Sequence, residues 1–142
     1  MIQTLQESDT MQVMEIWLGG NKDAHPFIPP EYWESHREMV REQLLQAKVY
    51  VYKTEGSIQG FIGLQDDSIA GIFVKPESRC AGIGKQLLDY VKKRHAALTL
   101  QVYTKNRRAV DFYKREGFSV IAEGTEEENG EAEKTMGWHR RE

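Results

Sequence analysis

Arg79-x-x-Gly82-x-Gly84-Lys85 stands between an apolar run ending at Phe73-Val74 and a segment, Gly82 to His95, with Ile83, Leu87, Leu88 and Val91 at helical spacing. Glycine at the start of a helix costs stability, so a pair of them needs a reason. One reason is an anion: positions without side chains let phosphate oxygens reach the free amides and the positive end of the helix dipole. The other is plain turn geometry. A Walker loop is excluded, because Arg79 replaces its first glycine and Gln86 follows Lys85 where serine or threonine is needed. A dinucleotide fingerprint is excluded as well, since Leu87 stands where its third glycine belongs. A pyrophosphate on a helix N-terminus and a bare strand-to-helix turn remain.

The second suggestive stretch runs from Asn106 to Phe118. Asn106 can cap a helix that Gly117 stops. Asn106 and Tyr113 fall on nearly the same helical face, about two turns apart. Taken alone, Tyr113 reads as a core aromatic.

The elements that must position these residues follow from periodicity. Ile2 to Leu5 reads as a short strand, and Ser8 or Asp9 as the cap of a helix that carries Val13, Met14, Ile16, Trp17 and Leu18 inward and ends at Gly19-Gly20. The proline-marked loop His25 to Trp33 feeds a charged helix from Glu31 to Gln46. Val49 to Tyr52, Ile58 to Leu64, Ile69 to Val74 and Leu98 to Tyr103 read as strands, with Glu55-Gly56 as a hairpin turn. A last pair, Phe118 to Ala122 and Lys134 to Trp138, flanks an acidic loop, Glu123 to Glu131. The order predicts an α+β fold: a mixed, mostly antiparallel sheet of about six to seven strands, flanked by about four helices, with one parallel crossover near the middle.

The 142 residues suffice for one domain, 1–142; 39% are apolar and the net charge is −3, which argues against general nucleic-acid binding. No apolar run approaches a membrane span, the N-terminus lacks a signal pattern, and Cys80 is the lone cysteine, so a cytoplasmic protein is expected. His25, His36, His95 and His139 show no metal-ligand spacing, so no metal is implied.

Arg-x-x-Gly-x-Gly opening a helix, followed by Asn106-x-x-Ala109-x-x-Phe112-Tyr113-x-x-x-Gly117-Phe118, resembles the GCN5-related N-acetyltransferase (GNAT) family. The element order over essentially the whole chain fits it, and HPFI and EYW, within His25 to Trp33, are similar to a small bacterial subgroup acting on proteins or small molecules. The resemblance implies a three-layer fold and acetyl-CoA as co-substrate. Its pyrophosphate would lie on Arg79, Cys80, Ala81, Gly82, Ile83 and Gly84, with Lys85 beside them. Its pantetheine arm would pair with Ile72, Phe73 and Val74, a strand splayed from Leu98–Tyr103 to make room. Asn106 would contact the cofactor, and Tyr113 would protonate the departing thiolate. The implied reaction is direct transfer of acetyl to a primary amine of a protein lysine, an N-terminus or a small molecule, by a monomer or homodimer.

The sequence departs from the family at one point. Many relatives carry a glutamate on the strand after the cofactor helix to take the amine's proton, and here that position is Gln101. An amide cannot serve as that acceptor, yet a lysine amine of pKa about 10.4 is neutral in only about one molecule in 2,500 at pH 7. A water chain anchored by Gln101, another base among His25, Glu31, Asp66 and Asp67, or an acceptor amine of low pKa would each resolve this. Phe27, Tyr32 and Trp33 are candidates to line the acceptor groove, Trp33 more as packing. The alternative from another class is a non-catalytic acyl-CoA-binding sensor, which would need no hydroxyl at Tyr113.

Overall fold

The computed structural model describes residues 1–79 and 81–141. In chain order it contains β1 (Ile2–Thr4), α1 (Thr10–Ala24), α2 (Pro30–Ser35), α3 (Arg37–Gln46), β2 (Lys48–Thr54), β3 (Ser57–Gln65) and β4 (Ser68–Val74). Then follow α4 (Ile83–Lys92), β5 (Ala97–Tyr103), α5 (Arg107–Arg115), β6 (Ser119–Glu126) and β7 (Glu131–His139). The strands form one sheet in the order β1-β2-β3-β4-β5-β7-β6. Every pairing is antiparallel except β4–β5, the parallel crossover through α4.

Alternation along the strands sorts side chains onto two faces. Leu98, Leu100 and Val102 of β5 join Leu87, Leu88 and Val91 of α4 and Val110 and Tyr113 of α5 on one side. Val49, Val51, Ile58 and Phe61 join Val13, Trp17, Ile28, Trp33 and Leu44 of α1 to α3 on the other. The expected α+β, three-layer arrangement is what forms.

Three local expectations change. Helix α1 does not end at Gly19-Gly20 but continues to Ala24. Gly20 is needed inside it, because a Cβ there would lie 2.7 Å from Cδ1 of Phe73, and one on Gly71 would lie 2.6 Å from Cε2 of the same ring. The ring of Phe73 therefore wedges between helix and strand and stacks on Phe61, with centroids 5.4 Å apart. The single helix expected over Glu31 to Gln46 breaks at His36. Ser35 Oγ and His36 Nδ1 both approach the Tyr32 carbonyl, at 2.9 and 2.6 Å, taking the acceptor that a continuing helix would use. The acidic segment Glu123 to Glu131 is mostly strand, with its turn confined to residues 127–130.

One irregularity shapes the rest. β4 pairs with β5 only at Ser68–Thr99 and Ile69–Leu100. Immediately afterwards the register with β3 shifts: Leu64 faces Ile69 and Gly63 faces Gly71, leaving Ala70 as a bulge. A bulge bends its strand and raises its twist, so β4 turns away from β5 beyond that point.

The two neighbouring glycines of α1 should respond oppositely to alanine. Nothing stands within 4 Å of a Cβ on Gly19, so Gly19→Ala should stabilise by about 0.5–1 kcal/mol through helix propensity. Gly20→Ala should be net destabilising, since overpacking against the Phe73 ring costs about 1–3 kcal/mol. Urea midpoints that rise for the first and fall for the second would bear this out; a rise for both would show that Phe73 yields freely.

Candidate active site

The site lies at the gap where β4 leaves β5. Ile72, Phe73 and Val74 pair with Ile62, Phe61 and Gly60 of β3 on one side. Toward β5 the ladder stops at Ile69, so among the described residues the rest of that edge has no strand partner. An unpaired strand edge is a template for an extended ligand, and a pantetheine arm carrying amides fits it through backbone hydrogen bonds.

The glycine turn closes the end of this gap. Gly82 is the N-cap of α4 with φ 77°, a left-handed conformation that explains its glycine by geometry alone. Gly84 is different. A Cβ there would meet Phe112 at 3.6 and 3.8 Å and Val74 at 3.9 Å, ordinary contact distances, so packing does not require glycine at that position. The first helical bond runs from Gln86 N to the Gly82 carbonyl at 3.0 Å, which leaves the amides of Ile83, Gly84 and Lys85 without acceptors inside the helix. Donors with no acceptor among the described residues suit an anion. The Arg79 guanidinium donates to Asp23 of α1 at 2.9 Å. Lys85 bonds Glu116 at 3.1 Å and Asp89 at 3.3 Å, contacts that hold its ammonium more firmly protonated. Ala81 is exposed beside them, and Cys80 lies outside the described residues.

Asn106 does two things at once. Its Oδ1 accepts from the Ala109 amide at 3.3 Å, capping α5, and its Nδ2 lies 3.2 Å from Nε2 of His25. An amide nitrogen only donates, so Nε2 is the acceptor and the imidazole carries its hydrogen on Nδ1. His25 is 8% exposed. It stacks on Trp33 at 5.3 Å and meets the edges of Phe27 and Tyr103 at 5.7 and 5.0 Å. Burial lowers its pKa to about 4, with the Asn21 backbone partly opposing the shift. His25 is thus neutral at pH 7 with Nε2 engaged, an arrangement that ties α1 to α5 and does not serve a base. Tyr113, 7% exposed, packs between Phe112 and Phe118 at 5.3 and 5.5 Å. Burial raises its hydroxyl pKa, and that hydroxyl has no hydrogen-bond partner among the described residues.

The other base candidates are not gathered here. Asp66 and Asp67 sit in the β3–β4 turn, beside Ser68 and Thr99 at the closed end of the gap, and Asp67 bonds His95 at 2.7 Å. Glu31 is exposed in the first turn of α2.

On the α1 side of the sheet Gln101 is exposed and faces Thr135 of β7, while Tyr103, next along that face, is opposite Glu133. The Tyr103 hydroxyl donates to Glu126 at 2.7 Å, and Asn129 donates to the same carboxylate from its backbone and its side chain, each at 2.9 Å. Tyr32 donates to Glu128 at 3.2 Å; burial, then Glu128, pushes its pKa up to about 12. Phe27 meets Tyr103 edge-on at 5.5 Å, and Lys105 Nζ lies 5.3 Å from the Phe27 ring centroid and 3.1 Å from Glu131. Trp33 packs edge-on against Trp17 at 6.1 Å in the core. Tyr103 and Glu133 were not among the expected site residues, and Glu126 was expected there only as part of the acidic loop Glu123 to Glu131. Strand alternation after Gln101 points to Tyr103, whereas the two glutamates lay in or beside a segment that reads as loop.

Residues 46–120, which hold β2 to β5, the glycine turn and α5, match the acetyltransferase (GNAT) domain. Over 123 residues the chain is 37% identical to the peptidyl-lysine N-acetyltransferase YiaC of Escherichia coli (strain K12), covering 85% of this chain and 84% of that protein. The chain belongs to the GNAT family. It is an acetyl-CoA-dependent N-acetyltransferase, as the motifs implied. Two solved GNAT-fold structures are similar throughout. Apo-form YjaB from Escherichia coli has a TM-score of 0.86 at 24% identity, covering 97% of this chain and 96% of that one. PaiA N-acetyltransferase from Thermoplasma acidophilum, in complex with coenzyme A, has a TM-score of 0.80 at 22% identity, covering 99% and 98%.

The buried imidazole has a consequence for this GNAT enzyme's stability. A histidine with a depressed native pKa binds fewer protons folded than unfolded, so its contribution is full above about pH 6.5 and is lost as pH falls toward about 4. His25→Gln keeps an acceptor for Asn106 and removes the titration. Its urea midpoint should fall less than the wild type's between pH 7 and pH 5; equal falls would show that His25 is not the titrating group.

Proposed function

We propose that this enzyme acetylates the ε-amine of lysine in peptides or proteins, and that residues 1–142 act as one catalytic domain in the cytoplasm. The observation that carries the acceptor class is the aromatic and acidic rim on the α1 side of the gap. Phe27, Tyr32 and Tyr103 there adjoin Glu126, Glu128, Glu131 and Glu133, and an ammonium, that of Lys105, already rests on Phe27 and Glu131. Such a surface suits a cationic amine over a neutral one. The similarity to YiaC, named for peptidyl-lysine, supports the same class. No helix among the described residues is long and apolar enough to cross a membrane, and none of their acidic, histidine or cysteine side chains form a group that could hold a metal.

On this reading the unpaired edge at Ile72, Phe73 and Val74 holds the pantetheine arm of acetyl-CoA. One of its amides would polarise the thioester carbonyl and stabilise the oxyanion of the tetrahedral intermediate. The first amides of α4, those of Ile83, Gly84 and Lys85, with Arg79, Ala81 and Gly82, receive the pyrophosphate. Asn106 contacts the cofactor from the N-terminus of α5. The amine nitrogen bonds the acetyl carbon, the C–S bond breaks, and the Tyr113 hydroxyl supplies a proton to the sulfur. Free thiols have pKa about 8.5 and phenols about 10, and burial raises Tyr113 further, so the hydroxyl stays protonated and works mainly by donating a hydrogen bond to the developing thiolate.

Tyr113→Phe removes that donor and keeps the ring's packing between Phe112 and Phe118. CoA release in the presence of a lysine peptide should fall about 100-fold or more, with acetyl-CoA affinity within about twofold of wild type. Unchanged turnover would make Tyr113 a packing residue, and turnover with small amines but never with lysine peptides would overturn the acceptor class.

A further inference from the structure

The geometry points to Glu133 as the group that takes the proton from the attacking amine, on the strand beside the one that carries Gln101. This rests on the amine-acetylation reading above. Glu133 sits on β7 directly opposite Tyr103, the last residue of β5, and Gln101 is opposite Thr135. Residues two apart on one strand and their cross-strand partners share a face. Gln101, Tyr103, Thr135 and Glu133 therefore form one patch on the α1 side, with Glu133 at the end where β4 and β5 are apart. Its carboxylate is half-exposed and makes no ion pair among the described residues.

The neighbouring acids are committed elsewhere. Glu126 accepts from Tyr103 and twice from Asn129, Glu128 accepts from Tyr32 and meets His36, and Glu131 pairs with Lys105. Glu123, on the opposite face, pairs with Lys134. Burial tends to raise the pKa of Glu126, but the hydrogen bonds outweigh it and leave a lowered value, so this carboxylate stays charged. Burial first, then the charge of Glu126, raises the pKa of Glu133. Besides these acids and the His36 and Lys105 that meet them, Tyr103 from β5 and Tyr32 from α2 are titratable groups around this patch, and both tyrosines have their pKa values raised. Glu133 is thus a carboxylate with a free lone pair and an increased proton affinity.

In the step itself a Glu133 oxygen, through an intervening water, takes one proton from the bound ammonium and passes it to solvent, which frees the nitrogen's lone pair. The neutral nitrogen bonds the acetyl carbon and sheds its second proton along the same route as the C–S bond breaks, while the thiolate receives a proton from Tyr113, which solvent replaces. No other reactant is needed.

The test is kcat/KM from pH 6.5 to 9.5 for wild type, Glu133→Gln, Glu133→Asp and the double variant Glu133→Gln/Gln101→Glu, with Glu123→Gln as control. The acceptor is whichever amine the wild type turns over from a panel of lysine peptide, N-terminal peptide and diamine. Glu133→Gln should lose about 100-fold near pH 7. The loss should shrink as pH rises and the amine deprotonates unaided. Glu133→Asp should recover part of the rate, the double variant should recover more through a carboxylate on the same patch, and acetyl-CoA affinity should stay within twofold. Activity of Glu133→Gln within twofold of wild type at pH 7 would overturn the assignment. So would a loss confined to the amine KM and equal at every pH, which marks an ammonium-docking residue. A lysine peptide that is not turned over while another amine is would overturn the acceptor class and leave the Glu133 comparison intact.

Discussion

Everything at this site depends on β4 being held on one side and released on the other. Its partner β3 follows it to Val74, while β5 follows only to Ile69, and the bulge at Ala70 falls between the two regimes. A buried unsatisfied backbone group costs about 1–3 kcal/mol, so a half-unzipped strand in a closed core would be unstable. Here Ile72, Phe73 and Val74 are only partly buried, and the gap can be wet until an extended ligand with its own amides completes the ladder. The Phe73 ring, wedged between Gly20 and Gly71 and stacked on Phe61, keeps the released strand from collapsing back. The opening is therefore built into the packing.

Helix α1 connects the two sides of that opening. Gly20 lies against Phe73 of β4, Asp23 reaches Arg79 in the glycine turn, and His25 reaches Asn106 at the cap of α5. The two polar ties differ in worth. Arg79 and Asp23 are 28% and 53% exposed along their side chains, and a pair of that kind contributes about 0–1 kcal/mol. The His25 end of the His25–Asn106 bond is buried among Phe27, Trp33 and Tyr103, so breaking it leaves the imidazole nitrogen without a partner. Of the two, His25 is the firmer link between the helix that borders the acceptor face and the helix that carries Tyr113.

Three of the carboxylates on the acceptor side show how environment divides labour among chemically identical groups. Donors from Asn129 and Tyr103 stabilise the charged form of Glu126, Lys105 pairs with Glu131, and Glu133 is left with burial and a like charge nearby. Opposite environments pull pKa values apart, and that separation lets neighbouring acids bind a cation and exchange a proton in one cleft.

Much of this protein was legible from local pattern. Period-two alternation gave the core strands, helical periodicity gave α4, and the cap at Asn106 with the stop at Gly117 gave α5, because those signals are written within a few residues. The motifs Arg79 to Gly84 and Asn106 to Phe118 identified the family for the same reason. What the sequence could not decide depends on contacts distant along the chain. A glycine stands inside α1 at Gly20 because Phe73 fills the space a Cβ would need, and α2 ends at His36 because two side chains capture the Tyr32 carbonyl. His25 reads as one of several candidate bases in a loop, yet the aromatic rings around it make it a neutral strut. Glu133 falls between the segment read as an acidic loop and the one read as the last strand, and only the register of β7 against β5 sets it beside the opening. Local propensity fixes which elements form; the direction a carboxylate faces, and whether it finds a cation, is settled only when strands far apart in sequence pair.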